Sequence, residues 1–242
     1  MLLLIILQGC LIIQSQEATL ICNFRIANYL GYACIIENLN LTGINQFTIT
    51  TDNHLDNLTN DDITGFQIIN SRLNFIPNEE FDLFHNLDAI WISRNNLNRL
   101  EPNILSNHPS LRYLNLRNNR IASIDQNAFD QLPNLTYLDL ISNDISILPT
   151  GVFKDLINLE LLNLSWNLIQ TLDGNLLTNN IMIRSMSFRM NMISVIGRQL
   201  MDNLNSLEEA DFTNNRCINS TFLNINGDPT AILPEFTQCF VN

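Results

Sequence analysis

Leu135-Thr136-Tyr137-Leu138-Asp139-Leu140-Ile141-Ser142-Asn143 is the stretch whose reading decides the fold. Apolar residues hold its first, fourth and sixth places, and an asparagine closes it. The arrangement begins again at Leu87, Leu111, Leu159, Ile183 and Leu207, with starts 24 residues apart and no insertion or deletion. The inner apolar pairs are Ile90/Ile92, Leu114/Leu116, Leu138/Leu140, Leu162/Leu164, Met186/Phe188 and Ala210/Phe212. The closing column reads Asn95, Asn119, Asn143, Asn167, Asn191, Asn215. A weaker copy opens in phase at Ile63, with Phe66, Ile68 and Leu73, but Ser71 replaces the asparagine. A fixed period of this length marks an array of supersecondary units, each burying its apolar face only against its neighbours.

Each unit has two jobs. The segment around the paired apolar residues is a short parallel strand, and the remainder crosses back over the convex side. The crossing segments also keep apolar columns: Ile76, Leu100, Ile124, Leu148, Leu172, Ile196, and Phe81, Leu105, Phe129, Phe153, Leu177, Met201. Phe81, Phe129 and Phe153 are expected to stack as a spine. Within the array, prolines (Pro77, Pro102, Pro109, Pro133, Pro149) fall only in crossing segments, as a ladder of backbone hydrogen bonds requires. A carboxamide both donates and accepts, so the asparagine column is expected to bridge backbone groups of successive coils.

This pattern resembles the leucine-rich repeat. Segments such as Leu135–Leu140 and Leu148-Pro149-Thr150-Gly151-Val152-Phe153 are similar to the typical-class repeats of animal extracellular proteins, among them Toll-like receptor ectodomains and short secreted insect proteins. The resemblance covers residues 63–217. It implies an α/β-type repeat solenoid: a horseshoe with a concave parallel β-sheet, a convex side mostly of loop and 3-10 turns, and disulfide-stapled caps. It further implies a binding protein for a protein, peptide or glycoconjugate. The caps depart from the usual four-cysteine flanking modules, so no cap-specific function carries over.

The sequence divides into a signal peptide (1–15), an N-terminal cap (16–62), repeats (63–216) and a C-terminal cap (217–242). The run from Leu2 to Ile13 is too short to span a bilayer as a helix, which needs about 20 residues. It has the length of a signal-peptide core, with cleavage expected near Ser15. No other segment reads as a membrane span, which predicts a secreted, extracellular protein. Four cysteines then remain. The pairs flank at least seven strands stacked about 4.8 Å apart, and a disulfide needs Cα atoms within about 7 Å. Only Cys22–Cys34 and Cys217–Cys239 are compatible, the first stapling a hairpin about Gly31. Leu39, Leu41 and Ile44 are the candidates for a degenerate first strand, and Thr51 to Asp62 reads as a solvated loop. Phe222, Ile232, Leu233, Phe236 and Phe240 supply the terminal cover.

A formal net charge of −12 opposes nucleic-acid and heparin binding in general. No catalytic constellation, metal motif or cofactor-binding motif is present, and His54, His85 and His108 are scattered. Binding has better support. Alternate strand residues face opposite sides, so one exposed column reads Gln67, Trp91, Asn115, Asp139, Asn163, Ser187, Asp211. Its neighbours read Gly65, Ala89, Tyr113, Tyr137, Leu161, Ser185, Glu209 and Ile69, Ser93, Arg117, Ile141, Ser165, Arg189, Thr213. Trp91, Tyr113 and Tyr137 lie on successive strands with Arg117 and Asp139 beside them, the mixture that interface anchors favour. The plainer reading is that strand surfaces carry aromatics because they suit β structure. Trp166 either extends this patch or shields the turn. Sequons at Asn40, Asn57, Asn134, Asn163 and Asn219 are candidate glycan acceptors. The main alternative to a recognition protein is a structural matrix or adhesion component, which would use the convex side or an edge.

Overall fold

The computed structural model describes residues 11–14, 17–27, 30–41, 46–50, 54–55 and 57–240. Its core is a ten-stranded sheet whose strand order follows the chain from Asn23–Ala27 to Thr221–Leu223. The interior strands are parallel, and an antiparallel strand closes each end. Pairing runs in the 24-residue register throughout the array: Leu114 opposite Leu138, Leu138 opposite Leu162, Leu162 opposite Met186. Inward leucines are fully buried, Leu114, Leu138, Leu140, Leu162 and Leu164 all at 0%. One continuous cluster runs from Leu20 in the first cap to Cys239 in the last. At about 1.5–3 kcal/mol per buried side chain, this column supplies most of the driving force for folding.

The first strand of the array is Gly31–Glu37, not the segment about Leu39, Leu41 and Ile44. It pairs in parallel with Gly65–Ile69 and antiparallel with Asn23–Ala27, making the hairpin that Cys22–Cys34 bridges. Leu41 is buried just beyond this strand, so its hydrophobicity reflects cover of the open core end rather than strand pairing. Ile44 lies outside the described residues. A second small sheet joins Leu11–Gln14, Glu17–Ile21 and Gln46–Thr50. The expected signal core and its cleavage point at Ser15 otherwise lie outside the described residues. The polar loop is partly ordered: Asn60–Asp62 is a 3-10 turn capped by Thr59, and His54 stacks 4.2 Å from Phe24. The imidazole also bonds the Tyr32 hydroxyl at 3.1 Å and Asn60 Oδ1 at 2.8 Å.

The convex side is turns, short two-residue bridges, one α-helical turn at Asn78–Phe81 and the 3-10 segment Arg198–Met201. The expected phenylalanine spine is interrupted. Phe129 and Phe153 stack at 5.9 Å, but Leu105 stands between them and Phe81, which packs on Phe66 at 4.7 Å instead. At the far end Phe236 is buried against Phe212 at 5.0 Å, within a 3-10 segment Pro229–Phe236 tied by Cys217–Cys239.

The asparagine column performs the bridging expected of it. Asn143 accepts the Ile121 N–H at 3.0 Å and donates to the Leu116 and Leu140 carbonyls at 3.1 and 3.0 Å. Asn119, Asn167, Asn191 and Asn215 repeat the arrangement one coil at a time. Ser71 does part of this work, accepting from Leu39 N–H at 3.3 Å and donating to Ile69 at 2.9 Å. Replacing Asn143 by alanine would orphan the buried Ile121 N–H and remove one of the two carboxamide donors to each of the Leu116 and Leu140 carbonyls, which keep Asn119 and Asn167. The expected cost is about 1–3 kcal/mol, read as a lowered denaturant midpoint. Asp144→Ala, on the exposed neighbour, is expected to change it little.

Candidate functional site

The register brings the predicted residues onto one face. Ala89, Tyr113, Tyr137 and Leu161 are successive partners in one row, and Trp91, Asn115, Asp139 and Asn163 in the next. Tyr113 and Tyr137 lie with ring centroids 6.2 Å apart, tilted by 43°. Tyr113 is 37% exposed, and Arg117 is exposed on the same coil. The Arg112 guanidinium lies 5.5 Å above the Tyr113 ring, held in place by a two-point ion pair with Asp88. That contact stiffens the outer tyrosine without covering its free surface.

Trp91 is half-buried rather than free. It packs against Leu30, Ala33, Ile35 and Ala89, a small apolar cluster that the hairpin turn lays over the start of the face. Gly65 makes this approach possible, because a Cβ there would sit 2.4 Å from the Leu30 carbonyl oxygen. The N-terminal cap therefore forms part of the face.

Asp139 departs from the expectation. Its register position is as predicted, but the residue is only 1% exposed, so it is not a surface contact. Its Oδ1 accepts the Ile141 N–H at 2.9 Å and its Oδ2 accepts the Tyr137 hydroxyl at 3.4 Å. Burial pushes its carboxyl above the ordinary aspartate range, partly offset by the Ile141 N–H and by Arg117. Burial, together with the charge and hydrogen bond of Asp139, pushes the Tyr137 phenol up to about 12. Asp139 is thus a positioning group for Tyr137. Its neighbours explain why: Asn115, Asn163 and Asp211 each accept the N–H two residues on, at 3.2, 3.1 and 2.9 Å. The short strands end here, and this side-chain column satisfies the first unpaired amide beyond them. The signal lay in the sequence as asparagine, aspartate or serine at five successive places (115, 139, 163, 187, 211).

Among the described residues no group of three or more histidine, cysteine or acidic side chains could hold a metal, and no helix is long and apolar enough to cross a membrane. His85 faces Asp61 at 3.1 Å, and His108 is buried 3.9 Å from Asp82, far apart in role from the face. Of the sequon asparagines, Asn40, Asn57, Asn134 and Asn219 are exposed, and Asn163 is half-buried within the face. Asn134 already donates to the Pro109 carbonyl at 2.9 Å, and Asn219 accepts the Asn214 N–H at 2.7 Å. Trp166 is 53% exposed beyond the strand ends.

Because the Asp139 carboxyl holds its proton to a higher pH when folded, the native state binds more protons across that window. Its contribution to stability is therefore fully present at low pH and is lost as pH rises through the raised value. Asp139→Asn keeps the acceptor for Ile141, as Asn115 and Asn163 do on either side. The variant is expected to melt at an equal or higher temperature than the parent at pH 7, with the difference vanishing near pH 3. A lower melting temperature at pH 7 would show that the charge itself is needed.

Residues 63–121 and 109–169 match the family model for the leucine rich repeat. No curated protein matches the chain. Among solved structures, a leucine-rich-repeat protein of Leptospira interrogans is 27% identical, with a TM-score of 0.58 over 64% of this chain and 38% of that one. TLR13, in its complex with ssRNA13, is 27% identical, with a TM-score of 0.56 over 65% of this chain and 22% of that one. A chain from the octameric complex of Latrophilin 3, Unc5D and the leucine-rich-repeat protein FLRT2 is 27% identical, with a TM-score of 0.55 over 64% and 47%. The chain thus spans from about a fifth to about half of the length of these proteins. Its matched repeats, its register and its stacked parallel strands identify it as a leucine-rich-repeat solenoid.

Proposed function

We propose that the chain is a secreted, extracellular binding protein that holds a protein or peptide partner on its concave sheet, with Tyr113 and Tyr137 as anchors. The observation that carries this reading is the tyrosine pair itself: two rings 6.2 Å apart, one 37% exposed, each fixed from behind by a charged group. Rings held this way offer contact area at low entropic cost on binding. Arg117, exposed beside them, supplies an orienting charge-assisted hydrogen bond. Asp139 acts from below the surface. The two disulfides fit an oxidising compartment. The Latrophilin 3, Unc5D and FLRT2 assembly, formed between proteins, favours a protein partner over a glycoconjugate. Nothing in this reading requires a cofactor or catalysis.

A glycan at Asn163 would cover the coil beyond Leu161 and leave the side from Trp91 to Tyr137 open, since Asn163 stands one strand past Asp139. The test is capture of partners from extracellular fluid by the parent, by Tyr113→Ala and by Ile147→Ala, with Ile147 exposed away from the strands. Tyr113→Ala is expected to weaken a captured partner by about 2 kcal/mol, roughly thirtyfold, at an unchanged melting temperature. Capture lost with Ile147→Ala but kept with Tyr113→Ala would move the function to the crossing side, as a matrix component would have it.

A further inference from the structure

The 12 basic residues of this acidic chain are divided in an uneven way. Arg25, Arg99, Arg112, Lys154 and Arg184 are paired with carboxylates, and Arg198 stacks on Phe240. The other six, Arg72, Arg94, Arg117, Arg120, Arg189 and Arg216, are exposed and have no ion pair among the described residues. All six lie just beyond the ends of the strands, along one edge of the sheet. Four of them, Arg72, Arg94, Arg117 and Arg120, fall on three consecutive coils. The Arg94 N–H donates to the Arg117 carbonyl at 3.1 Å, so those two are neighbours across one coil.

The backbone at this edge repeats from coil to coil. The residue eighth in each repeat is left-handed, with φ of 53° at Asn70, 55° at Asn118 and Ser142, 58° at Trp166, 56° at Met190 and 59° at Asn214. Asparagine tolerates that region better than most residues. Arg94 occupies the same place at φ 55°, and Arg72 is left-handed at φ 53°.

We propose that Arg72, Arg94, Arg117 and Arg120 form a docking site for an acidic segment of a protein partner. Guanidinium forks match carboxylates two bonds at a time. Three coils at about 4.8 Å spacing make a patch about 10 Å across, the span of three or four extended residues at about 3.3 Å each. A long polyanion fits less well. It would run on past Asp144, the exposed acid next along this edge, into a molecule of net charge −12. A short acidic stretch meets only the arginines. Arg117 also stands beside the tyrosine anchors, so one partner can engage both, while Arg72, Arg94 and Arg120 belong to this site alone.

The experiment uses a fluorescein-labelled octapeptide of alternating Asp and Glu, titrated by fluorescence anisotropy with the full secreted chain in 50 mM and 150 mM salt. Saturable binding that weakens with salt is expected. Arg94→Asn/Arg117→Gln is expected to weaken it at least tenfold while melting no lower than the parent, because asparagine suits the left-handed position. Arg184→Gln, on the opposite edge, and Tyr113→Ala are both expected to leave it unchanged. No saturable binding, equal binding by the double variant, or an equal loss with Arg184→Gln would overturn the site. Tighter binding of a sulfated hexasaccharide or a single-stranded oligonucleotide of matched charge would overturn the acidic peptide as its occupant.

Discussion

Each buried asparagine of the array stands at the turn where a strand ends, and its carboxamide satisfies a backbone N–H of the preceding coil and backbone carbonyls on both sides. No other part of the turn could do so, because the coil is narrow and its interior dry. This constraint fixes the period. A coil one residue longer or shorter would swing the carboxamide away from its three partners and rotate every leucine off the core. Keeping the spacing at 24 residues from Ile63 to Asn215 therefore holds the strands in one register over the whole sheet.

The functional surface follows from that rigidity. Once the inward residues are fixed, the outward ones line up in columns with strand-to-strand spacing, and side chains remote in sequence become neighbours. Tyr113 and Tyr137 meet because they are one period apart, and so do Arg94 and Arg117 because the strand-end hydrogen bond joins their coils. The two edges of the sheet then differ in charge behaviour. At the strand starts, Asp88 with Arg112 and Arg184 with Glu208 neutralise each other. At the strand ends the arginines are left for solvent or a partner, so an acidic protein presents a local basic edge.

Most of this is legible in the sequence. The array, both disulfides, the asparagine bridges and the membership of each surface column followed from a period of 24 and an alternation of two. What escaped has common physical causes. The burial of Asp139 is hidden because the strands are only three residues long there, so Asp139 is already the last strand residue and its acceptor is needed by the backbone just beyond. The strand Gly31–Glu37 is hard to read from the sequence because the cap keeps pairing while abandoning the period, with Asn38 standing opposite Asn70 across 32 residues. Trp91 read as a free anchor because nothing local reveals that the hairpin turn at Leu30 folds over the face where Gly65 admits it. The unpaired arginine edge is invisible in the sequence, because ion pairing depends on which carboxylates the coils bring beside each arginine.

The account rests on the asparagine bridges being formed in solution, and hydrogen exchange reads them directly. Ile121, Ile145, Ile169 and Ile193 donate their amides to a side chain rather than to a regular sheet. If the bridges set the register, these four amides exchange as slowly as the sheet amides of Leu116 and Leu140, opening only with the coils around them. Exchange at the rate of exposed loop amides, with the sheet still protected, would contradict the claim that the asparagines hold the coils in phase.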